Sequence, residues 1–179
     1  MKLTSRTQET SSATVWRQMV LLALAFALLD LVTKVVAVAI LGRPTGVPDG
    51  LLGLHLVYND GLTGGFSVGS LTRPLNVLTT TLHIAALVWV AGRFAPLDAL
   101  APAALALMAG GGAGNLMSLL TEPHGVPDFL LFRVSNRAIV GNIADLGLCA
   151  GAVLISICVA RIILAQKKLG AVPSCPEET

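Results

Sequence analysis

Four long apolar runs constrain this chain more than any other feature of its sequence. A hydrocarbon core of about 30 Å needs about 20 helical residues to cross it, and the four runs lie at 18–41, 75–92, 99–120 and 142–165. The composition agrees, because 54% of the 179 residues are hydrophobic and only 12% are charged, which is too apolar for an ordinary soluble domain. The sequence therefore predicts an all-α membrane protein, a single membrane domain with four transmembrane helices.

The basic residues predict how the chain crosses the membrane, because cytoplasmic loops carry an excess of Lys and Arg. With both termini in the cytoplasm, seven basic residues lie on or near that side: Lys2, Arg6, Arg17, Arg93, Arg161, Lys167 and Lys168. Four lie on the other side: Arg43, Arg73, Arg133 and Arg137. We therefore expect cytoplasmic tails at 1–17 and 166–179. The first apolar run is expected to remain as a span, since no small-residue cleavage site follows it.

Two long connections, 42–74 and 121–141, lie outside the cytoplasm in this orientation. The first contains the β-prone run "LHLVY", the turn-forming "NDG" and a glycine-rich return, a pattern typical of a hairpin or a small sheet. The second is expected to be a loop. The sequence thus predicts a small extramembrane sheet on the outer side, built from 42–74.

Charge and cysteine content argue against two other classes of protein. The formal net charge of +2 is too small to indicate nucleic acid as a partner, and no basic cluster interleaved with aromatic residues is present. Cys149 and Cys158 fall in one apolar run on roughly opposite helix faces, and Cys175 lies in the tail. The cysteines therefore do not indicate a disulfide framework.

The first span contains two ionisable residues, Asp30 and Lys34, in "LLDLVTK". A charge near the centre of a membrane helix costs about 2.5–3.5 kcal/mol on insertion scales, so each one needs a partner or a function. The spacing of four places both residues on one helix face with the acid first, the better order for an ion pair. We interpret them as a structural ion pair. The alternative is an ion or proton carrier in which Asp30, Lys34 and Asp145 form a relay.

Small and polar residues mark the inner faces of the last two spans. Gly110 and Gly114 have the small-xxx-small spacing that lets helix backbones approach closely. Asn115 follows them, and Asn142 shares a helix face with Asp145 at the start of the fourth span. We expect these faces to point into the bundle.

Asp128 and Asp145 have no cation three or four residues away that would explain them as helix-surface ion pairs. Two carboxylates close together in a partly dry site share a proton, because both cannot ionise easily. Such a pair can act as base and acid, as in an aspartic protease. The alternative is a loop acid and a helix-start acid favoured by the helix dipole.

Five motifs in order along the chain resemble those of the lipoprotein signal peptidases, also called signal peptidase II. "LLDLVTK" is similar to an Asp-x-x-x-Lys motif, and "YNDGLTGGFS" is similar to Asn-x-Gly-Ala-Ala-Phe-Ser. "GGGAGNLM" resembles Gly-Gly-Ala-x-Gly-Asn, and "VPDF" resembles Val-Val-Asp-Phe. "GNIADLGLCAG" resembles Phe-Asn-x-Ala-Asp-Ser-x-x-x-x-Gly. The resemblance spans nearly the whole chain.

The resemblance implies that Asp128 and Asp145 are catalytic and that Asn59, Asn115 and Asn142 bind or orient the substrate. It implies a bacterial inner-membrane aspartyl endopeptidase that works near the outer face without metal or cofactor. The enzyme would remove signal peptides from diacylglyceryl-modified prolipoproteins, on the amino side of the lipidated cysteine. The implied fold is a four-helix bundle with a β-cradle and a periplasmic helix. We expect a monomer whose partners are prolipoproteins and membrane lipids.

The chain departs from the family pattern at Ser118 and Leu119, where Asp-Arg is expected after Asn115. Leucine cannot imitate the five donors of a guanidinium. The alternative function is therefore a divergent paralogue that binds lipopeptide, or an inhibitor, with little or no turnover. Gly141 replaces the usual Phe, and the second motif is two residues longer between Asn59 and Phe66.

Overall fold

The computed structural model of the chain describes residues 2–42, 50–59, 67–134 and 137–170. Within these residues it contains four α-helices: α1 Lys2–Leu41, α2 Thr72–Phe94, α3 Ala101–Thr121 and α4 Ile143–Gly170. Three strands accompany them: β1 Leu52–Asn59, β2 Val126–Val134 and β3 Arg137–Gly141. Each helix contains a stretch long and apolar enough to cross a bilayer. The predicted fold class, a membrane bundle of four helices with a small sheet, is confirmed.

The helices alternate in direction along the chain, so that the strands gather at one end of the bundle. We call this the sheet end; there α1 and α3 finish and α2 and α4 begin. The opposite end, where a short link joins α2 to α3, is called the far end. α1 starts at Lys2 rather than near residue 18, so the region predicted as a polar tail continues the first helix.

α3 is the central helix of the bundle. It packs against α1, α2 and α4, whereas α2 and α4 make little contact with each other within the described residues. Half of the apolar stretch of α3 is buried inside the protein, against 17%, 6% and 11% for α1, α2 and α4. The outer faces of those three helices carry large exposed apolar side chains, such as Leu24, Leu82 and Leu164. Such faces suit contact with lipid.

Glycines explain how α3 approaches two neighbours so closely. At Gly110 an added Cβ would lie 2.5 Å from the backbone oxygen of Ala23 in α1. At Gly111 it would lie 2.7 Å from the backbone oxygen of Ala144 in α4. Any side chain at these positions would force the helices apart, because backbone atoms cannot move aside as a flexible side chain can. The glycine-rich run of α3 therefore sets the helix spacing, as its small-residue pattern predicts.

The sheet is antiparallel with the strand order β1-β2-β3. "LHLVY" forms part of β1, as predicted. β1 pairs with β2, with Val57 opposite Asp128 and Asn59 opposite Val126. The segment 121–141, predicted to be a loop, therefore supplies two of the three strands. The sequence pattern shows that a segment suits a strand, but its partner depends on which segments the helices bring together.

Most of the glycine-rich return predicted after "LHLVY" lies outside the described residues. It falls largely in residues 60–66, which the structure does not describe. Between α1 and α2 the described residues contain β1 and a short 3₁₀ turn, Gly69–Leu71. The periplasmic helix implied by the family resemblance is not among these described residues.

Candidate active site

The polar side chains singled out in the sequence meet at the sheet end. They come from α1, β1, β2, α3 and α4, and from the residue that precedes α4. Hydrogen bonds connect them into one network within the protein, and its members are Asp30, Lys34, Asn59, Asn115, Asp128, Asn142 and Asp145.

Asp128 lies in β2 and is 4% exposed. Its Oδ2 accepts a hydrogen bond from Asn59 Nδ2 at 3.1 Å, and its Oδ1 accepts one from Asn142 Nδ2 at 2.6 Å. The sheet explains the first contact. Asn59 and Asp128 lie diagonally across the β1–β2 ladder on the same face, where side chains of neighbouring strands reach one another. Asp128 is thus a strand residue and not the loop acid considered from the sequence.

Asp145 lies in the first turn of α4, with Asn142 as the residue that precedes the helix. The backbone nitrogen of Asn142 donates to Asp145 Oδ2 at 2.9 Å, and the backbone nitrogen of Asp145 donates to Asn142 Oδ1 at 3.1 Å. This reciprocal pair satisfies two free donors at the start of the helix, as in a capping box. The sequence "NIAD" therefore both starts α4 and fixes the direction of the Asp145 carboxylate.

Gly141 leaves room beside this carboxylate. A Cβ at position 141 would lie 2.9 Å from Asp145 Oδ2, closer than non-bonded atoms pack. A larger residue at position 141 would therefore require the Asp145 carboxylate to shift.

Asn142 and Asn115 link the two acids. Asn142 contacts both, through its side-chain nitrogen to Asp128 and its backbone nitrogen to Asp145. Asn115 Nδ2 donates to Asp145 Oδ1 at 3.2 Å, and Asn115 Oδ1 accepts from Asn142 Nδ2 at 3.2 Å. The two carboxylates are therefore held in one site by a pair of amides, each of which can donate and accept.

The ion pair of α1 extends this network, which its local spacing does not reveal. Lys34 Nζ lies 2.6 Å from Asp30 Oδ2 and also donates to Asn115 Oδ1 at 2.7 Å. Asp30 Oδ1 accepts from the backbone nitrogen of Ala144, in the first turn of α4, at 2.8 Å. Asp30 and Lys34 are 0% and 3% exposed. The pair joins α1 to α3 and α4 as well as neutralising itself.

Burial controls the proton affinity of Asp128. Removal from water raises the pKa of its carboxyl to about 6, since a dry environment disfavours the charged form. The hydrogen bonds from Asn59 and Asn142 oppose this rise in pKa, and the nearby charge of Asp145 adds to it. A carboxyl with this pKa exchanges a proton in mildly acidic to neutral solution, as a general acid or base requires.

A groove of about 860 Å³ opens beside the two acids. Residues of the sheet and of α3 line it, and residues of α2 and α4 form the two sides that we call the α2 wall and the α4 wall. Its lining includes Asn59, Asn115, Asp128, Asn142 and Asp145. The groove lies between α2 and α4 because these helices pack on α3 rather than on each other. Among the described residues, no cluster of three or more His, Cys, Asp or Glu is arranged to hold a metal ion.

Arg73 is a site neighbour that the sequence did not identify. Ser118 and Leu119, which replace the Asp-Arg pair, are each 2% exposed. Arg73 reaches across from α2 and donates to the carbonyl oxygens of Leu119, Glu122 and Pro123. A guanidinium therefore binds the end of α3, but it comes from another helix. No sequence spacing indicates this contact, because the partners are at least 46 residues apart.

Comparison with known proteins identifies similar chains. The family described as "Signal peptidase (SPase) II" matches residues 22–161. A "Lipoprotein signal peptidase" of Chlorobaculum tepidum is 36% identical, over 75% of this chain and 89% of that protein. One of Chlorobaculum parvum is 33% identical, over 77% and 92%.

Two solved structures share the fold. A bacterial membrane enzyme solved by the in meso method at 2.3 Å resolution has a TM-score of 0.66 and 23% identity, over 90% of this chain and 94% of its own. A second, solved in the same way at 1.9 Å, has a TM-score of 0.65 and 25% identity, over 79% and 92%.

Proposed function

Because this chain belongs to the signal peptidase II family, we propose that Asp128 and Asp145 are the catalytic pair of a membrane aspartyl endopeptidase. The family processes the signal peptides of prolipoproteins. The proposed reaction cuts a diacylglyceryl-modified prolipoprotein on the amino side of its lipidated cysteine. One observation carries the proposal: Asn142 donates to both carboxylates, at 2.6 Å and 2.9 Å, and so holds them together beside the groove.

The two acids differ in their surroundings, and this difference suggests their roles. Asp128 is buried and its pKa is raised to about 6, so its carboxyl takes up a proton more readily than that of an ordinary aspartate. Asp145 lies in the first turn of α4 and accepts a backbone N–H, where the helix dipole favours a negative charge. We therefore assign the starting base to Asp145 and the starting acid to Asp128.

In the proposed reaction, Asp145 takes a proton from a water molecule whose oxygen attacks the scissile carbonyl carbon. Asp128 donates its proton to the carbonyl oxygen, so that a neutral tetrahedral diol forms. Asp145 then passes its proton to the nitrogen of the lipidated cysteine as the carbon–nitrogen bond breaks. One diol hydroxyl returns its proton to Asp128, which leaves a carboxylic acid on the signal peptide. Each acid thus serves as both base and acid.

Asn115, Lys34 and Asp30 hold this pair in position. Lys34 donates to Asn115 Oδ1, which leaves the Asn115 amide nitrogen directed at Asp145 Oδ1. Asp30 in turn binds the backbone at Ala144, one residue before Asp145. The ion pair therefore acts on the site through other residues, as a positioning pair.

The orientation follows from the charges in the sequence. We propose that the sheet end faces away from the cytoplasm, because that arrangement keeps most Lys and Arg on the cytoplasmic side. Both termini then lie in the cytoplasm and the acids lie near the outer boundary of the hydrocarbon. This is the depth at which a translocated lipoprotein precursor keeps its lipid anchor.

A second candidate is a divergent paralogue that binds lipopeptide or an inhibitor with little turnover. The replacement of the Asp-Arg pair by Ser118 and Leu119 motivates it. The contact of Arg73 with the Leu119 carbonyl weakens that argument, since a guanidinium still binds this helix end. The proposed peptidase therefore remains the better account.

The test is cleavage of a purified diacylated prolipoprotein, followed by gel mobility, with the protein in lipid vesicles. Asp128→Asn and Asp145→Asn should each reduce turnover at least about 1000-fold, since an amide keeps the shape but cannot act as a base. Asp98→Asn, at the far end, is the control and should retain activity. Wild-type rates in either dyad variant would rule out the aspartyl mechanism. Binding without cleavage by the wild-type protein would favour the paralogue.

A further inference from the structure

The groove has two chemically different walls. Every α2 residue that lines it is polar: Asn76, Thr79, Thr80 and His83. The α4 wall below Asp145 is apolar apart from a thiol, with Leu146, Leu148 and Cys149. The contrast is not a property of α2 as a whole, because other faces of α2 expose Leu78, Leu82 and Val88.

The polar residues form a stripe along α2. Asn76, Thr80 and His83 follow one another at spacings of four and three, which places them on one helix face. At 1.5 Å per residue this stripe covers about 10 Å of the helix axis. It starts one turn inside the helix at Asn76 and continues into the membrane-spanning part.

The side chains of the stripe can both donate and accept hydrogen bonds. Thr80 Oγ1 donates to Asn76 Oδ1 at 3.3 Å, so these two residues hold each other on the groove side. His83 makes no hydrogen bond to another described residue. A hydroxyl oxygen, an amide and an imidazole together offer both kinds of group to a ligand.

The chemistry of the proposed substrate supplies that ligand, and this step rests on the proposed function. A signal peptide crosses the membrane as a helix, in which backbone groups bond to each other. Peptidase attack requires the backbone near the cut to leave the helix, which frees N–H and C=O groups that then need new hydrogen-bond partners. The acyl chains of the lipidated cysteine are apolar and need no hydrogen-bond partners.

We propose that the α2 stripe binds the unwound backbone of the signal peptide on the amino side of the cut, while the acyl chains lie against the α4 wall. An extended chain rises about 3.3 Å per residue, so a stripe of about 10 Å fits roughly three residues. The two walls thus bind different parts of one substrate: the α2 wall binds the peptide and the α4 wall contacts the lipid.

Three consecutive threonines provide a matched test on α2. Thr80 lines the groove, whereas Thr81 is not part of its lining and donates to the Val77 carbonyl within the helix. Thr80→Val should raise KM about fivefold with little change in kcat, because one hydrogen bond to the bound peptide is lost. Thr80→Ser should restore KM, and Thr81→Val should match the wild type.

Cross-linking tests which wall meets which part of the substrate. A photoreactive maleimide is attached to Cys149 on the α4 wall, or to His83→Cys in a Cys149→Ser background on the α2 wall. Cys175→Ser is present in both proteins, and Cys158 is buried. The probe on α2 should label the signal peptide, and the probe on α4 should label radioactive acyl chains. The reverse pattern would overturn the proposal, as would equal labelling of both parts from both walls.

The outcomes separate this proposal from the proposed function. If the wild-type protein cleaves the prolipoprotein but Thr80→Val and Thr81→Val behave alike, the α2 stripe is not a peptide site and the peptidase assignment stands. If the wild-type protein cleaves no diacylated prolipoprotein, both proposals fail together.

Discussion

The sheet end and the far end of the bundle are built on opposite principles. At the sheet end, buried Asp30, Lys34, Asp128 and Asn142 form a polar network. At the far end, buried Met19, Ala91, Leu105 and Ala106 form an apolar cluster, with Trp16 and Phe94 packed against it. Burying charge costs free energy that pairing only partly offsets. The comparison indicates that the far end stabilises the bundle and that the sheet end holds the proposed active site.

The largest expected effect is at Lys34. Lys34→Met should abolish cleavage and cost about 3–5 kcal/mol of stability, because it leaves the Asp30 charge buried without its partner. The double change of Asp30→Leu with Lys34→Met should recover most of the stability but none of the activity. Thermal unfolding in detergent and the cleavage assay measure the two effects. Equal stability losses in the single and double variants would contradict the account of this pair.

At the far end we expect a substitution to lower stability without lowering activity. Leu105 is 2% exposed within the apolar cluster, so Leu105→Ala should lower stability by about 2 kcal/mol. This is the low end for a buried leucine, since lipid is as apolar as the core and lost packing is the main loss. Turnover per folded molecule should not change. A fall in kcat at temperatures where the variant is fully folded would show that the two ends are coupled.

Two arginines on α2 allow the sheet end and the far end to be compared within one helix. Arg73 binds carbonyl oxygens at the end of α3, whereas Arg93 is exposed at the far end and stacks on Trp89. Arg73→Met should reduce kcat/KM about tenfold, because hydrogen bonds to a charged group are worth about 1.5–3 kcal/mol each and they position the chain that enters β2. Arg93→Met is the matched control. Similar kinetics in both variants would argue against a role for Arg73.

The last prediction concerns the dependence of stability on pH. The pKa of Asp128 is about 6 in the folded protein, above its ordinary value of 3.8. The folded state therefore binds more protons than the unfolded state between these values, so stability rises as pH falls from 7 towards 4. Asp128→Asn should remove this part of the pH dependence, and melting temperatures measured in detergent from pH 4 to 7 provide the test. The same slope in the variant would assign the dependence to another group.

Local spacing was enough to predict much of the bundle and of the site. Runs of about 20 apolar residues predicted four spans, and the part of the chain that the structure describes contains four helices of that kind. The spacing of four in "DLVTK" predicted the contact between Asp30 and Lys34. The resemblance of the motifs around Asp128 and Asp145 to those of the signal peptidase II family selected the two acids that the structure joins through Asn142. All these features depend on residues near one another in the chain or on motifs readable along it.

Only the tertiary structure decided which distant residues meet. It paired β1 with β2, a strand from the distant segment 121–141, and it joined Lys34 to Asn115 across 81 residues of sequence. It also carried Arg73 to Leu119, at the helix end where the sequence shows a missing arginine. The physical reason is that apolar periodicity determines that a helix forms and which residues share a face. The partner of that face depends on close packing, here on glycines of α3 that admit α1 and α4.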